Sequence, residues 1–183
     1  MSLGFVETLI EAQTAGSALT AAARASATPT HARKVLQPNT FRFLGQQFRL
    51  YASGRISCAV TTPGTARFDL AFGANVVFDT LAMNLNVVAK TNVHWVLDVL
   101  LTLRAIGAAA NLMGQGTWTS EAVIGSPLPT AGGSGVLTVP YNAAPVVGAN
   151  FDSGASQLAD LFFTQTVATG SMTLEQFSLT SVN

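Results

Sequence analysis

"VHWVLDVLLTLRAIGAAANLMG", residues 93–114, is the stretch whose reading decides the fold. It has the apolar density of a membrane span, yet it holds His94, one of only two histidines, together with Asp98 and Arg104. Length and charge exclude the span. A charged residue at the centre of a span costs roughly 2.5–3.5 kcal/mol. The apolar run between the two charges, "VLLTL", falls far short of the about 20 residues a crossing needs. As a helix, Asp98 and Arg104 would leave from different sides and be hard to bury together. As a strand, the odd positions Val93, Trp95, Leu97, Val99, Leu101 and Leu103 share one face. Asn92, His94, Asp98, Thr102 and Arg104 share the other, with Val96 and Leu100 as exceptions. The strand reading wins.

A strand of about 12 residues reaches roughly 40 Å, so a bend or bulge is expected along it. On that geometry His94 and Asp98 stand about 13 Å apart and form no pair within the strand. Asp98 is expected to pair across strands with an arginine such as Arg49, Arg55 or Arg67.

The same period runs through much of the chain. In "QQFRLYASGRISCAV" (46–60), Phe48, Leu50, Ala52, Ile56 and Cys58 oppose Arg49, Ser53, Arg55 and Ser57. A Pro-Gly turn, "TTPGT" (61–65), leads to "ARFDLAFG", where Phe68, Leu70 and Phe72 oppose Arg67 and Asp69. The two runs read as a hairpin. "NVVFDT" (75–80) continues the strand chemistry, and "GQGTWTSEAVIG" (114–125) sets Trp118, Ala122 and Ile124 against Thr117, Thr119 and Glu121. A Gly/Ser/Pro-rich loop, 125–135, precedes "VLTV" (136–139), and 140–155 is a second turn-rich connection. "QLADLFFTQTVA" and "MTLEQFSLT" read as a closing pair joined by "TGS". The latter changes phase, from Met172 and Leu174 to Phe177 and Leu179, which calls for a bulge near Glu175–Gln176.

At the start of the chain, Leu3, Val6, Leu9 and Ile10 lie near helical spacing, predicting a short helix or arm over 1–15, ended by Gly16. "SALTAAARASATPT" (17–30) suits an extended edge strand or arm. The expected fold is therefore all-β: a β-sandwich or jelly roll of about eight strands, 16–183, behind that N-terminal segment.

Composition bounds the function. Of 183 residues, 49% are apolar and 10% charged, with nine bases against nine acids. An ordinary domain carries about 25% charged residues. So weak and balanced a charge favours association. Scattered arginines speak against nucleic acid, which needs clustered bases. Cys58, the single cysteine, excludes an internal disulfide and reads as a small buried hydrophobe. "MSLGFVETLIEAQ" lacks the basic start and unbroken apolar core of a secretion signal, predicting synthesis in the cytoplasm.

No catalytic, cofactor-binding or metal-binding residue is expected. His31 and His94 are far apart in sequence, the carboxylates occur singly, and a calcium loop near Asp152 has little support. No G-x-S-x-G elbow or phosphate loop is present, and "GGSG" (132–135) lacks a following helix. Trp95 and Trp118 lie on apolar phases, which favours core over sugar stacking.

"LGQQFRLYASGRIS", "TTPGTARFDLAFGANVVFDT", "TNVHWVLDVLLTLRAIG" with "GQGTWTSEA", and the closing "QLADLFFTQTVA…SMTLEQFSLTSVN" together resemble a family of small virion proteins of tailed bacteriophages. The resemblance spans about residues 8–183, and its motifs are structural. It implies a jelly-roll-like sandwich in the particle, with a capsid decoration (cement) protein as the expected role. Such a protein would be a homotrimer bound to the major capsid protein on the head surface, with no enzyme activity, membrane or nucleic-acid partner. A tail, neck or baseplate component, or a host-contacting fibre domain, is the runner-up. A glycan-binding module using Tyr51, Tyr141 or Trp118 is more remote.

Overall fold

In the computed structural model, residues 7–12, 15–59, 62–123 and 135–182 are described. Val6 and the residues before it, Ile124 and nearly all of the loop 125–135 lie outside that set. Twelve strands occur among the described residues: β1 (Glu7–Ala12), β2 (Arg24–Ser26), β3 (Lys34–Leu36), β4 (Gln47–Cys58), β5 (Thr65–Phe72), β6 (Asn75–Asp79), β7 (Met83–Asn84), β8 (Lys90–Ala105), β9 (Asn111–Ser120), β10 (Val136–Val139), β11 (Gln157–Gln165) and β12 (Ser171–Ser181). A single 3-10 turn, Thr30–Ala32, is the one helical element among them.

The strands form two antiparallel sheets. The first has the order β1-β12-β4-β8-β9-β10; the second is β2-β11-β5-β6, with β3 also on β11 and β7 also on β5. Taken in winding order, the pairs β1·β12, β2/β3·β11, β4·β8 and β5·β6 alternate between the sheets. A long hairpin rolled up in this way is a jelly roll. β9 and β10 widen the first sheet beyond it.

β8 is the sixteen-residue centre of the first sheet, and Trp95, Leu97, Val99, Leu101 and Leu103 all face the core. The expected irregularities lie near its ends, where its register shifts against β4 at Ile56/Cys58 and against β9 at Leu103/Ala105. The predicted bulge in β12 is present between Leu174 and Gln176. Across the core, Phe68 of the second sheet meets Trp95, Trp118 and Phe163 at ring-centroid distances of 4.8, 5.6 and 5.1 Å. Phe41 bridges Phe48 and Phe72 at 5.1 and 5.4 Å. These edge-on and tilted rings fill the space between the sheets with favourable geometry.

Three sequence-based expectations change. Residues 7–12 form a strand on β12 rather than a helix or free arm, because Ile10 and Ala12 alternate into the core and the β12 edge accepts the backbone. Gly16 and Leu19 extend the same pairing to Leu174 and Met172. β4 and β5 are not a hairpin: they lie in opposite sheets, and the turn between them, with Gly64 at φ +70°, crosses the sandwich. β11 and β12 likewise lie in opposite sheets rather than pairing. Two runs of alternating residues joined by a short turn suit a sheet-to-sheet crossing as well as a hairpin, and the rolled topology requires the crossing. The expected edge strand within 17–30 is β2.

Candidate interaction surface

The outer faces show where the scarce charges go. On β8, Asp98 stands opposite Tyr51, and Arg49 of β4 reaches it diagonally with Nε donating to Oδ1 at 2.8 Å. Arg55–Glu175, Arg67–Asp79 and Lys90–Glu121 are further cross-strand or loop pairs. Such exposed pairs fix register and neutralise the surface while contributing about 0–1 kcal/mol each.

The second sheet buries two acids on its outer face. Asp69, only 2% exposed, is held by Arg24, whose Nε donates to both carboxylate oxygens at 3.1 Å. The same guanidinium lies over the Phe162 ring, 3.5 Å from its centroid. Asp160 accepts from Ser26 Oγ at 2.7 Å and faces Arg33 Nε at 3.4 Å. Burial pushes the Asp160 carboxyl above its ordinary range, with the Ser26 hydrogen bond and the Arg33 charge opposing that shift. Alternation put Asp69 on the outer face; the covering of Asp69 and Asp160 by Arg24 and Arg33, from β2 and the segment after it, carries no signal in local sequence.

His31 lies in the 3-10 turn, and His94 lies on β8 with Nδ1 3.1 Å from the Gly54 carbonyl oxygen. Arg104 Nη2 lies 3.9 Å from Met113 Sδ. Asp152 Oδ1 accepts the Gly154 amide at 2.8 Å, a local turn bond. Among the described residues, no three His, Cys, Asp or Glu side chains converge as a metal set. Cys58 is buried, and that burial raises its thiol pKa. Trp95 and Trp118 are wholly buried, so neither offers a face to a sugar. Tyr51 and Tyr141 are half-buried, and Tyr51 sits on a strand rather than a loop.

The remaining surface features among the described residues are clefts, the larger lined by polar as well as apolar side chains, and a set of exposed apolar residues. Two clefts flank the sandwich. One, of about 440 Å³, lies between β1 (Glu7–Leu9) and β3 with the loop after it, including Val35, Arg42 and Phe43. The other, of about 350 Å³, lies beside β6 and the loop 143–149, with the Arg67–Asp79 pair on its wall. Val35, Phe43, Leu44, Ile106 and Leu158 are all substantially exposed. They belong to strands and loops tied together at one end: Val35 faces Leu158 in register, Gly45 donates to Leu103, and Ser153 donates to Gly107. The chain's periodicity could not show this gathering, since it joins four separate segments.

No family model matches the chain, and no curated protein matches it. Among solved structures it is similar to the CBM2 module of the evolved Dit of Lactobacillus casei BL23 phage J-1. That likeness has 11% identity over 81% of this chain and 67% of the other, with a TM-score of 0.30, too low to carry an argument.

Proposed function

We propose that the chain is a structural virion protein, a capsid decoration (cement) protein that binds the outside of a tailed-phage head as a homotrimer and stabilises the shell. The observation that carries this reading is the surface itself. Six of the nine acids are held in ion pairs within the chain, while large apolar side chains stay exposed, among them Val35, Phe43, Leu44, Ile106 and Leu158 on segments tied together at one end of a jelly roll. A surface neutralised in this way gives no long-range attraction to a charged ligand, and its exposed apolar residues gain free energy by being covered. The motif resemblance points the same way, and its partner would be the major capsid protein.

Sedimentation of the purified chain, alone and with heads that lack it, tests the reading. A trimer that co-sediments with heads is expected. A strict monomer that stays in the supernatant contradicts it.

A further inference from the structure

A two-sheet sandwich has two lateral seams, and this chain covers them in different ways. Between β6 and β9 the cover is internal. Ala149 N donates to Val76 O of the second sheet at 2.8 Å, and Gly148 N donates to Leu112 O of the first at 2.9 Å. The Phe151 ring then enters the core against Phe41 and Phe72 at 4.8 and 5.1 Å. Residues 147–151 are thus tethered by chain on both sides and by a buried ring. On the opposite side the cover is the N-terminal segment. In the first sheet, β1 pairs with β12, and Gly16 N and Leu19 N donate to Leu174 O and Met172 O at 2.7 and 2.8 Å. In the second, β2 and β3 pair with β11. Between them Ala27 N donates to Leu161 O at 2.8 Å, and Thr28 Oγ1 accepts from Leu161 N at 3.1 Å.

The described residues of this segment, 7–12 and 15–36, supply only edge strands. Without them β12-β4-β8-β9-β10 still faces β11-β5-β6, with the remaining ladders unbroken. Residues 7–36 contain no Phe, Tyr or Trp, so none of the rings that meet across the core belongs to them. Their buried apolar side chains are Ile10 and Leu36 with the small Ala12, Ala27 and Ala32. Much of the hold is polar instead. Arg24 pairs with Asp69, Ser26 Oγ donates to Asp160 at 2.7 Å, and Arg33 faces Asp160 at 3.4 Å. Both acids belong to the body of the sandwich, and departure of the segment returns them to water, which offsets the bonds lost. Pro38 and Asn39, the latter at φ +65°, turn the chain after Leu36, before Phe41 enters the core. A terminal segment held by few large apolar side chains and many polar bonds opens at lower cost than the whole domain unfolds.

From this we infer that the N-terminal segment through Leu36 is a releasable strap: β1, β2 and β3 leave as one unit and uncover the β12 and β11 edges of both sheets while the rest of the sandwich stays folded. The inference stands independently of the virion role. The strap is tethered at one end only, so it lifts away without threading past any other strand. Arg24, Ser26 and Arg33 form its clasp on the second sheet, and the bonds of Gly16 and Leu19 hold it to the first. Release bares two rows of backbone donors and acceptors on the same side of the molecule, the groups through which a sheet edge adds a strand.

The test is native-state hydrogen exchange on the full chain, followed by NMR over a series of low denaturant concentrations. The Gly16, Leu19 and Ala27 amides report on the strap, the first two on one sheet and the third on the other. All three are expected to exchange through one common opening, at least about tenfold more often than Leu103, whose N–H donates to Gln46 O within the body. Leu161 N, although it lies in β11, is expected to exchange with the strap, because its acceptor is Thr28 Oγ1. Arg24→Gln removes the pair with Asp69 from the second sheet, and thermal melting checks that the variant is folded. It is expected to speed exchange at Ala27, and at Gly16 and Leu19 on the other sheet, by the same factor of roughly ten or more, as for a lost charge-assisted bond. Exchange of the three strap amides only together with Leu103 would overturn the inference, since the segment would then belong to the global unfolding unit. Faster exchange at Ala27 alone in Arg24→Gln would overturn it as well, since the two sheets would then lose their covers separately.

Discussion

Asp98 was the residue that made the opening stretch look chemical, and its environment shows how far a residue-level reading reaches. Strand spacing ruled out His94 as its partner, and the Arg49 pair across the β4–β8 ladder is one of three arginines the sequence offered. Trp95 was equally legible, since an apolar phase places it inward. Its contact with Phe68 leads us to expect Trp95→Ala to lose roughly 3–5 kcal/mol of stability in urea unfolding. Asp160 was not legible, because its burial depends on Ser26 and Arg33 far away in sequence. A carboxyl whose folded pKa is raised favours the fold while protonated, and that contribution is lost as pH rises through the folded value. Asp160→Asn removes the titration. The melting temperature of the variant relative to the unaltered chain should therefore rise from acidic to neutral pH. A constant difference across that range would show that Asp160 is not burdened by burial.

For elements, alternation identified faces but not neighbours. It gave β4, β5, β8, β11 and β12, and the phase change in β12 located its bulge at Leu174/Gln176. It could not tell whether two consecutive strands share a sheet, since a strand with one apolar face packs equally well in either layer. The N-terminal segment failed for a related reason: near-helical spacing in a short stretch was overridden by pairing with the β12 edge. Deletion of residues 1–15 therefore removes Ile10 and Ala12 from the core, and is expected to destabilise the fold rather than merely shed an arm. Within β9, Gly114 marks where β6 crosses close. A Cβ there would lie 2.2 Å from the Phe78 ring, and Phe78 is buried. Gly114→Ala is expected to cost about 1–3 kcal/mol by overpacking, read as a lowered midpoint in chemical denaturation. An unchanged midpoint would mean that β6 and β9 can separate at little cost.

At the scale of the whole molecule, strand count and turn spacing led to a sandwich or jelly roll and the motif resemblance to the jelly roll, whereas the inequality of its two seams was not legible. That inequality arises because 147–151 returns to bridge β6 and β9, while β1 and β3 are left as neighbouring edges. Together with a surface whose charges are largely paired, it leaves apolar area and strand edges exposed among the described residues, which the proposed virion role would cover. The most direct measurement is an image of the phage particle in which this chain's density is located. The account predicts density on the outer face of the head shell, clustered in threes and present in on the order of hundreds of copies by repetition of the shell symmetry. Density confined to the tail, neck or baseplate, or no density at all, would contradict it.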